Sequence, residues 1–162
     1  MKTAIYPGTF DPITFGHIDV IKKSLKIFDR LVIATTDNVN KNYFFSIDER
    51  LSIIKNSLFK DLKIDKKKIK VISFDILTIN LCKKYKASTI IRGLRAVSDF
   101  EYEFQLAGMN KKLENKIDTI FLMSDVENQI ISSKFVKEIA NLNGNINKFV
   151  TKSTVKILKN KI

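Results

Sequence analysis

Twelve residues near the N-terminus, Tyr6 to His17, collect the residue types that bind and polarise phosphates. They include the only histidine of the chain, both of its prolines and two of its five glycines. An apolar run typical of a short strand precedes them, and apolar residues at helical spacing follow them. A strand, a tight turn and a helix start present backbone N–H groups and a positive helix end to an anion. The segment therefore predicts a nucleotide phosphate site with a histidine at its edge.

His17 stands at the start of the predicted helix, where it can reach the same phosphate. A single histidine is more often an ordinary surface or core residue, but the neighbouring Gly16 permits close backbone approach and favours a functional role. The Nε2–H group of His17 would donate to a phosphoryl oxygen, whose negative charge grows in the transition state. General-base catalysis is the weaker interpretation, because a phosphate nucleophile is already ionised. Gly8 and Thr9 would contact the phosphate through the backbone and the Thr9 hydroxyl.

Two other polar segments have the chemistry of phosphate binding. Arg92 and Arg95 lie close together in a chain in which four of the 29 basic residues are arginine. A guanidinium matches a phosphate through paired hydrogen bonds, although a solvated turn with surface salt bridges is the usual alternative for two close arginines. Ser132 and Ser133 begin a predicted helix, so their hydroxyl and N–H groups would meet a phosphate, and one of them can also cap that helix.

The elements that must position these segments alternate between strand and helix. Short apolar runs predict five strands, at Ala4–Tyr6, Leu31–Ala34, Lys70–Phe74, Thr89–Ile91 and Thr119–Met123. Helical spacing predicts six helices, at Ile18–Phe28, Ile47–Leu58, Leu77–Tyr85, Phe100–Leu113, Lys134–Leu142 and, as a short C-terminal helix, Thr154–Asn160. Capping boxes that begin at Ser46 and Ser98 would open the second and the fourth of these helices.

This alternation predicts one α/β fold for the whole chain. Short buried strands joined by helices imply a parallel five-stranded sheet with helices on both sides, a doubly wound, Rossmann-like architecture. At 162 residues and 44% hydrophobic, the chain is expected to form a single domain over residues 1–162. Ligands of open parallel sheets bind beyond the carboxyl ends of the strands. The three polar segments are therefore expected to converge on one crevice.

Composition excludes several other classes of protein. No apolar stretch approaches the ~20 residues needed to cross a bilayer, and the N-terminus lacks a secretion signal, so we expect a cytoplasmic protein with no membrane partner. The single cysteine, Cys82, excludes an internal disulfide and a cysteine-based metal cage, and its apolar surroundings predict a buried packing residue. The net charge of +12 raises the alternative of a nucleic-acid-binding protein. Because the lysines are spread along the whole chain, we expect no nucleic acid partner.

The polar segments together resemble a known enzyme family. The run Gly8-Thr9-Phe10-Asp11-Pro12 followed by Thr14-x-Gly16-His17 is similar to the signature of the nucleotidyltransferase superfamily with a (H/T)xGH motif. The run from Ile91 to Glu103, and Ile131-Ser132-Ser133 followed by Val136-Lys137-Glu138-Ile139, resemble the corresponding blocks of the pantetheine-phosphate adenylyltransferases. The resemblance extends from Ala4 to about Phe149. The nearest alternative is another adenylyl- or cytidylyltransferase that shares the opening motif.

This resemblance implies a reaction. In the family, the phosphate of 4′-phosphopantetheine attacks the α-phosphorus of ATP, which gives dephospho-coenzyme A and pyrophosphate. Such transfers depend on positioning and charge neutralisation more than on covalent catalysis. Mg2+ is expected to arrive with ATP rather than in a metal site of the protein. The family is typically a homohexamer, and the resemblance carries that expectation over.

The resemblance also assigns roles to individual residues. Catalytic roles fall on His17, Lys41 and Arg95. Contacts to phosphopantetheine fall on Thr9, Lys41, Thr78 and Arg92. Contacts to ATP fall on Thr9, Phe10, His17, Gly93, Leu94, Arg95, Glu103, Asn128, Gln129, Ile130, Ile131, Ser132, Ser133 and Lys134. For Glu103, a charge on the surface of its helix is the alternative interpretation.

The sequence departs from the family pattern at four places. Phe15 stands where the family has an asparagine, and Lys134 stands where it has a third serine. Thr78 takes a position of the pantetheine site that is often apolar. The segment 124–128 lacks the family's proline and aromatic residue.

Overall fold

Five parallel strands form one sheet. The computed structural model describes residues 1–38, 41–95 and 97–162, with side chains at all of these except residues 97 and 98. The strands are β1 Thr3–Gly8, β2 Arg30–Thr36, β3 Ile69–Phe74, β4 Thr89–Leu94 and β5 Asp118–Met123. Their order across the sheet is β3-β2-β1-β4-β5, and every neighbouring pair is parallel. The five predicted strands and the doubly wound α/β fold are therefore confirmed.

Six α-helices are present within the described residues, as the sequence predicts. They are α1 Phe15–Ile27, α2 Ile47–Lys55, α3 Thr78–Tyr85, α4 Val97–Leu113, α5 Ser133–Asn141 and α6 Lys152–Lys161. The helix predicted over Ile47–Leu58 changes character at its end, because α2 continues as a π-helical segment, Asn56–Asp61. A short 3-10 helix, Val126–Asn128, follows β5.

The predicted helix starts are specified by local hydrogen bonds. The Ser46 hydroxyl accepts the Glu49 N–H at 3.2 Å, and the Glu49 carboxylate accepts the Ser46 N–H at 2.7 Å, so the capping box of α2 is confirmed. The Ser132 hydroxyl accepts the Phe135 N–H at 3.1 Å and caps α5. The side chain of Ser98, predicted to cap α4, lies outside the described residues. At the other end of α5, Asn143 adopts a left-handed φ of 60°, and the Gly144 N–H donates to the Ile139 carbonyl.

Helices cover both faces of the sheet. Alternate residues of β1 and β2 point to opposite faces, as the period of a strand requires. One face packs against α1, α2, α5 and α6, and the other face packs against α3. Cys82 lies in the second cluster, where burial raises the pKa of its thiol to about 11 and keeps it protonated. Cys82 is therefore the packing residue that its apolar surroundings predict.

The C-terminal helix belongs to the same core. The buried Ser57 hydroxyl lies 2.8 Å from the Thr151 hydroxyl and 3.1 Å from the Thr154 hydroxyl, which joins the π-helical segment to α6. The Ser153 N–H and hydroxyl both donate to the Asp61 carboxylate. Among the described helices, none combines the length and the apolar composition needed to span a bilayer.

Candidate active site

A cavity of about 890 Å³ opens at the carboxyl ends of the strands. The turn after β1, the segment 41–43, the end of β4 and the starts of α4 and α5 line it. Fourteen of the predicted site residues lie on its wall: Thr9, Phe10, His17, Lys41, Thr78, Arg92, Gly93, Leu94, Arg95, Glu103, Ile131, Ser132, Ser133 and Lys134. The predicted convergence of the three polar segments is therefore observed. Asn128, Gln129 and Ile130 are not among the lining residues.

His17 is held as a neutral imidazole whose Nε2 has no hydrogen-bond partner among the described residues. Its Nδ1 accepts the Thr14 N–H at 3.1 Å and lies 2.9 Å from the Thr14 hydroxyl. Since Nδ1 accepts a backbone N–H, the proton of the neutral ring stands on Nε2. Burial, together with the charge of Arg95, lowers the pKa of His17 from 6.5 to about 4. At neutral pH the ring therefore offers a single N–H donor, as the sequence interpretation requires.

The backbone of the turn after β1 is set by contacts behind the cavity. Phe10 adopts a φ of 48°, in the left-handed region that residues with a side chain rarely occupy. Its buried ring packs edge-on against the rings of Tyr6 and His17, with centroids 5.2 Å and 5.1 Å away. Thr9 is exposed at the cavity surface, while its carbonyl accepts from the Thr35 hydroxyl at 2.9 Å. The turn thus exposes Thr9 to the cavity, while the contacts that fix its backbone lie inside the protein.

Asp11 connects the turn to two other parts of the wall. It is 5% exposed, and its carboxylate accepts the Phe44 N–H at 2.8 Å and the Phe45 N–H at 2.9 Å. The same carboxylate pairs with the Lys137 ammonium of α5 at 3.0 Å. A buried carboxylate needs such donors to offset its desolvation. Asp11 therefore fixes the segment that carries Lys41 and the helix α5 relative to the turn.

Arg92 and Glu103 form an ion pair in the cavity wall. The Arg92 Nε donates to one Glu103 carboxylate oxygen at 2.6 Å, and Nη2 donates to the other. A third bond runs from Arg92 Nη1 to the Pro7 carbonyl at 3.0 Å. Burial alone would lower the pKa of Arg92, but the hydrogen bonds and charge of Glu103 raise it, so the guanidinium stays charged. Glu103 is 8% exposed, so the alternative of a charge on the helix surface is wrong.

Arg95 and Lys41 are more exposed than Arg92. The Arg95 Nε lies 3.3 Å from the Asp99 carboxylate, an i,i+4 pair whose arginine side chain is 45% exposed. This is the surface salt bridge that is common for arginines in turns, and it contributes little to stability. Lys41 is exposed on the cavity wall, and its N–H donates to the Asn38 carbonyl. Both cations are therefore accessible to an anion in the cavity. Thr78, at the start of α3, is half-buried and also lines the cavity.

The start of α5 presents polar groups to the cavity, but its two serines also have internal partners. The Ser133 hydroxyl donates to the Pro12 carbonyl at 2.7 Å, which joins α5 to the first turn. Ser132 caps the helix, as the sequence analysis expects of one of the two serines. Lys134 is exposed beside them. Backbone N–H groups at a helix start and a lysine together form a site suited to a phosphate.

Charge in the cavity is positive. Each carboxylate on its described wall has a cationic partner: Asp11 pairs with Lys137, Asp99 with Arg95, and Glu103 with Arg92. Lys41 and Lys134 line the same wall and make no ion pair with a described carboxylate. The residual positive charge favours an anionic ligand. Within the described residues, no group of His, Cys, Asp or Glu side chains is arranged to hold a metal ion.

One residue that the sequence interpretation missed, Asp19, holds the segment after β5. Asp19 is 9% exposed, and its carboxylate accepts the Asn128 side-chain amide at 2.7 Å and the Asp125 N–H at 3.2 Å. Gly16 leaves room for this segment, because a Cβ there would lie 3.1 Å from the Asn128 carbonyl oxygen. The predicted ATP residue Asn128 is thus bound to Asp19. No signal in the sequence links two residues so far apart.

The comparisons place the chain among nucleotidyl transfer proteins. Residues 5–139 match the family model described as Cytidylyltransferase-like. A phosphopantetheine adenylyltransferase of Pelagibacter ubique (strain HTCC1062) is 71% identical over 160 residues, which covers 99% of this chain and 98% of the relative. A phosphopantetheine adenylyltransferase of Wolbachia pipientis subsp. Culex pipiens (strain wPip) is 53% identical over 152 residues, which covers 94% of this chain and 88% of the relative.

Solved structures with lower identity share the fold. A bifunctional NMN adenylyltransferase/ADP ribose pyrophosphatase from Francisella tularensis has a TM-score of 0.68 at 16% identity, and the match covers 98% of this chain and 48% of that one. A structure titled as a nicotinate-nucleotide adenylyltransferase from Vibrio parahaemolyticus has a TM-score of 0.70 at 19% identity, and the match covers 98% of this chain and 99% of that one. At such identities the likeness concerns the fold alone.

Proposed function

The chain belongs to the Cytidylyltransferase-like family, and we propose that it transfers the adenylyl group of ATP to 4′-phosphopantetheine. The products are dephospho-coenzyme A and pyrophosphate, in coenzyme A biosynthesis. The observation that carries the proposal is the cavity itself, where a neutral His17 donor faces a wall with residual positive charge. The names of relatives at 71% and 53% identity support this choice of acceptor.

The reaction needs few groups from the protein. A phosphate oxygen of phosphopantetheine forms a bond to the α-phosphorus of ATP, and the bond from that phosphorus to the α,β-bridging oxygen breaks. The electron pair leaves with pyrophosphate. The His17 Nε2–H donates to an α-phosphate oxygen as its charge grows, which a preorganised donor does without reorganisation. The nucleophile is already an anion, so no side chain has to remove a proton.

Cations of the wall hold the two substrates in line. Lys41 and Arg92 bind the phosphate of phosphopantetheine, and Thr9 lies between the two substrates. Arg92 keeps one N–H on each terminal nitrogen after its bonds to Glu103 and Pro7, so it can still bind a phosphate. Arg95 and Lys134, with the N–H groups at the start of α5, bind the β- and γ-phosphates and then pyrophosphate.

Magnesium enters as MgATP, which is the substrate. Mg2+ is usually held by phosphate oxygens and waters with one or two carboxylates. The carboxylates on the described wall, Asp11, Asp99 and Glu103, already pair with cations. This arrangement supports an ion carried by the nucleotide, and it gives no reason to assign the ion to a protein ligand.

We also propose the homohexamer that the family resemblance implies. Helix α4 exposes large apolar side chains, with Tyr102 65% and Phe104 63% exposed, and the rings of Phe100 and Phe104 stack 5.8 Å apart. Exposed apolar clusters of this kind are typical of surfaces between subunits. Light scattering coupled to gel filtration should give six times the mass of the chain, and a monomer would contradict the proposal. The cytoplasmic location and the lack of a nucleic acid partner stay predictions from the sequence.

A comparison of acceptors tests the proposed function. Purified protein is incubated with MgATP and either 4′-phosphopantetheine or nicotinamide mononucleotide, and release of pyrophosphate is followed. We expect pyrophosphate only with phosphopantetheine. A parallel reaction with MgCTP tests the donor and should be slower by orders of magnitude. Pyrophosphate release with nicotinamide mononucleotide alone would assign the chain to a different transferase.

A further inference from the structure

Arg50 is a buried cation directly behind the cavity. It lies in α2 and is 0% exposed, although arginine is rarely buried completely. Its side chain is not part of the cavity wall. Among the described residues, its Nε and Nη2 atoms have no hydrogen-bond partner, and Nη2 lies 3.7 Å from the Asp37 carboxylate. Packing alone would be served as well by an apolar side chain, so the guanidinium has another use here.

The bonded nitrogen of Arg50 is directed at the turn after β1. Nη1 donates to the Thr9 carbonyl at 3.1 Å and to the Thr36 carbonyl at 2.8 Å. It also lies 3.3 Å from the Thr35 hydroxyl, which itself donates to the Thr9 carbonyl at 2.9 Å. Two buried donors therefore hold one carbonyl oxygen. A carbonyl held by two donors from the protein interior has little freedom to rotate.

This carbonyl belongs to the peptide that joins Thr9 to Phe10. The N–H of a trans peptide points opposite to its C=O. Because Arg50 and Thr35 hold the Thr9 oxygen inside the protein, the Phe10 N–H points toward the cavity that both residues of the peptide line. The φ of 48° at Phe10 makes this orientation unfavourable by itself. It persists because the surrounding contacts determine it.

Arg50 also contacts the segment that carries Lys41. Its guanidinium carbon lies 3.9 Å from the centre of the Tyr43 ring, a cation–π contact. The backbone of that segment is held further along by Asp11, through the Phe44 and Phe45 N–H groups. One buried side chain thus touches both sides of the cavity mouth, the turn after β1 and the segment 41–45.

We propose that Arg50 is a positioning residue for adenylyl transfer, which fixes the Thr9–Phe10 peptide so that the Phe10 N–H faces an ATP phosphate. Arg50 does not touch the substrate. It acts through the Thr9 carbonyl, with Thr35 as the second donor, and through Tyr43. The proposal rests on the proposed function, since it assigns the phosphate at this N–H to ATP.

The direct test compares wild type with Arg50→Met and Arg50→Lys. Binding of α,β-methylene-ATP is measured by calorimetry, and the Phe10 amide is followed by 15N–1H NMR. In Arg50→Met we expect binding at least tenfold weaker and a smaller shift of the Phe10 amide on ligand addition. We expect kcat to fall about thirtyfold. Arg50→Lys keeps the charge and one donating nitrogen but loses the planar guanidinium. Its affinity and kcat should therefore lie between those of wild type and Arg50→Met.

A second variant keeps the test informative where Arg50→Met fails to fold. Thr35→Val has the same shape but lacks the hydroxyl that donates to the Thr9 carbonyl. We expect it to bind α,β-methylene-ATP about three- to fivefold more weakly. Because Arg50 and Thr35 share one acceptor, the effects of Thr35→Val and Arg50→Lys should not add in the double variant. Unchanged binding in both single variants would overturn the proposal.

Ser57→Ala is the matched control. Ser57 is equally buried and hydrogen-bonded, but its partners are Thr151 and Thr154, away from the cavity. It should lower the Tm without changing nucleotide binding at a temperature where the protein is folded. If Arg50→Lys lowered only the Tm, as Ser57→Ala does, Arg50 would be a structural residue and the proposal would be wrong. Because binding and the Phe10 amide are read without turnover, failure of wild type to make dephospho-coenzyme A would refute the proposed function instead.

Discussion

Replacement of His17 by alanine is the sharpest test of the proposed chemistry. In the folded protein the ring is neutral, its Nδ1 accepts from Thr14, and its Nε2–H donates to none of the described residues. His17→Ala removes that donor and leaves Lys41, Arg92 and Arg95 in place. ATP should therefore bind nearly as well as before, while stabilisation of the α-phosphate charge in the transition state is lost.

The expected size of the effect follows from this single hydrogen bond. Loss of one preorganised donor to a developing anionic oxygen lowers kcat by about 10²- to 10³-fold, or roughly 3–4 kcal/mol. The free energy of unfolding should fall by less than this loss of transition-state stabilisation. The variant loses the acceptor for the Thr14 N–H, which costs about 1 kcal/mol, and the edge-on contact with Phe10, which adds about 1 kcal/mol. A loss of roughly 2 kcal/mol leaves a domain of ordinary stability folded at 25 °C.

The assay separates binding from turnover. Steady-state rates of dephospho-coenzyme A formation give kcat and KM for ATP, and calorimetry with α,β-methylene-ATP gives the affinity. His17→Gln serves as the matched control. Its side-chain amide has an oxygen that can accept the Thr14 N–H, as Nδ1 does, and an NH2 group that can donate to the phosphate, as Nε2–H does. It should retain about tenfold more activity than His17→Ala. A His17→Ala enzyme that bound ATP poorly but turned over normally at saturation would refute the assigned role.

Three other features of the site give measurable expectations. The single histidine resonance should titrate with a midpoint of about 4, and a midpoint near 6.5 would show that burial and Arg95 do not act on the ring. Because the folded protein binds this proton less tightly than the unfolded chain, its contribution to the free energy of unfolding is complete above pH 6.5 and is lost as pH falls toward 4. Glu103→Gln should raise the KM for phosphopantetheine by about tenfold, because Arg92 loses charged acceptors, and a change confined to the KM for ATP would contradict this coupling. Gly16→Ala should lower the free energy of unfolding by about 1–2 kcal/mol and weaken ATP binding, because the added Cβ would crowd the Asn128 carbonyl. A variant as stable as wild type with normal ATP binding would exclude that effect.

The sequence was sufficient to predict the elements of the fold because its central strands are apolar and buried on both faces. The run Leu31–Ala34 is apolar throughout, since Leu31 and Ile33 face one layer of helices while Val32 and Ala34 face the other. The end of α2 could not be predicted from the spacing of apolar residues. Apolar spacing continues through Leu58, but the backbone changes to π-helical hydrogen bonding at Asn56. Spacing alone does not distinguish these two kinds of helix over one turn.

The site could be predicted where its residues follow strand ends. Thr9 and Ser132 follow β1 and β5, and Arg92 lies in the carboxyl-terminal half of β4, so their convergence follows from the topology of one parallel sheet. The supporting pairs could not be predicted in this way. Arg50 bonds to a carbonyl 41 residues away, and Asp19 to an amide 109 residues away. Such pairs depend on how helices sit on the sheet, and only the three-dimensional structure supplies that.

The spacing of residues in α2 does indicate that Arg50 is buried. It precedes Ile53 and Ile54 by three and four residues, so it stands on the buried face of a helix whose start is well marked. An arginine at such a position in a chain that otherwise uses lysine is unusual. The pattern indicates a buried cation, but it does not say which carbonyl that cation holds.

Isotope tracing tests adenylyl transfer most directly. The protein is incubated with 4′-phosphopantetheine and MgATP that carries 32P at either the α- or the γ-phosphate, and the products are separated by chromatography. The account predicts that the α-label appears in dephospho-coenzyme A in equal amount to the unlabelled acceptor consumed, and that the γ-label appears in pyrophosphate. Transfer of the γ-label to the acceptor, or no labelled product from the α-position, would contradict it.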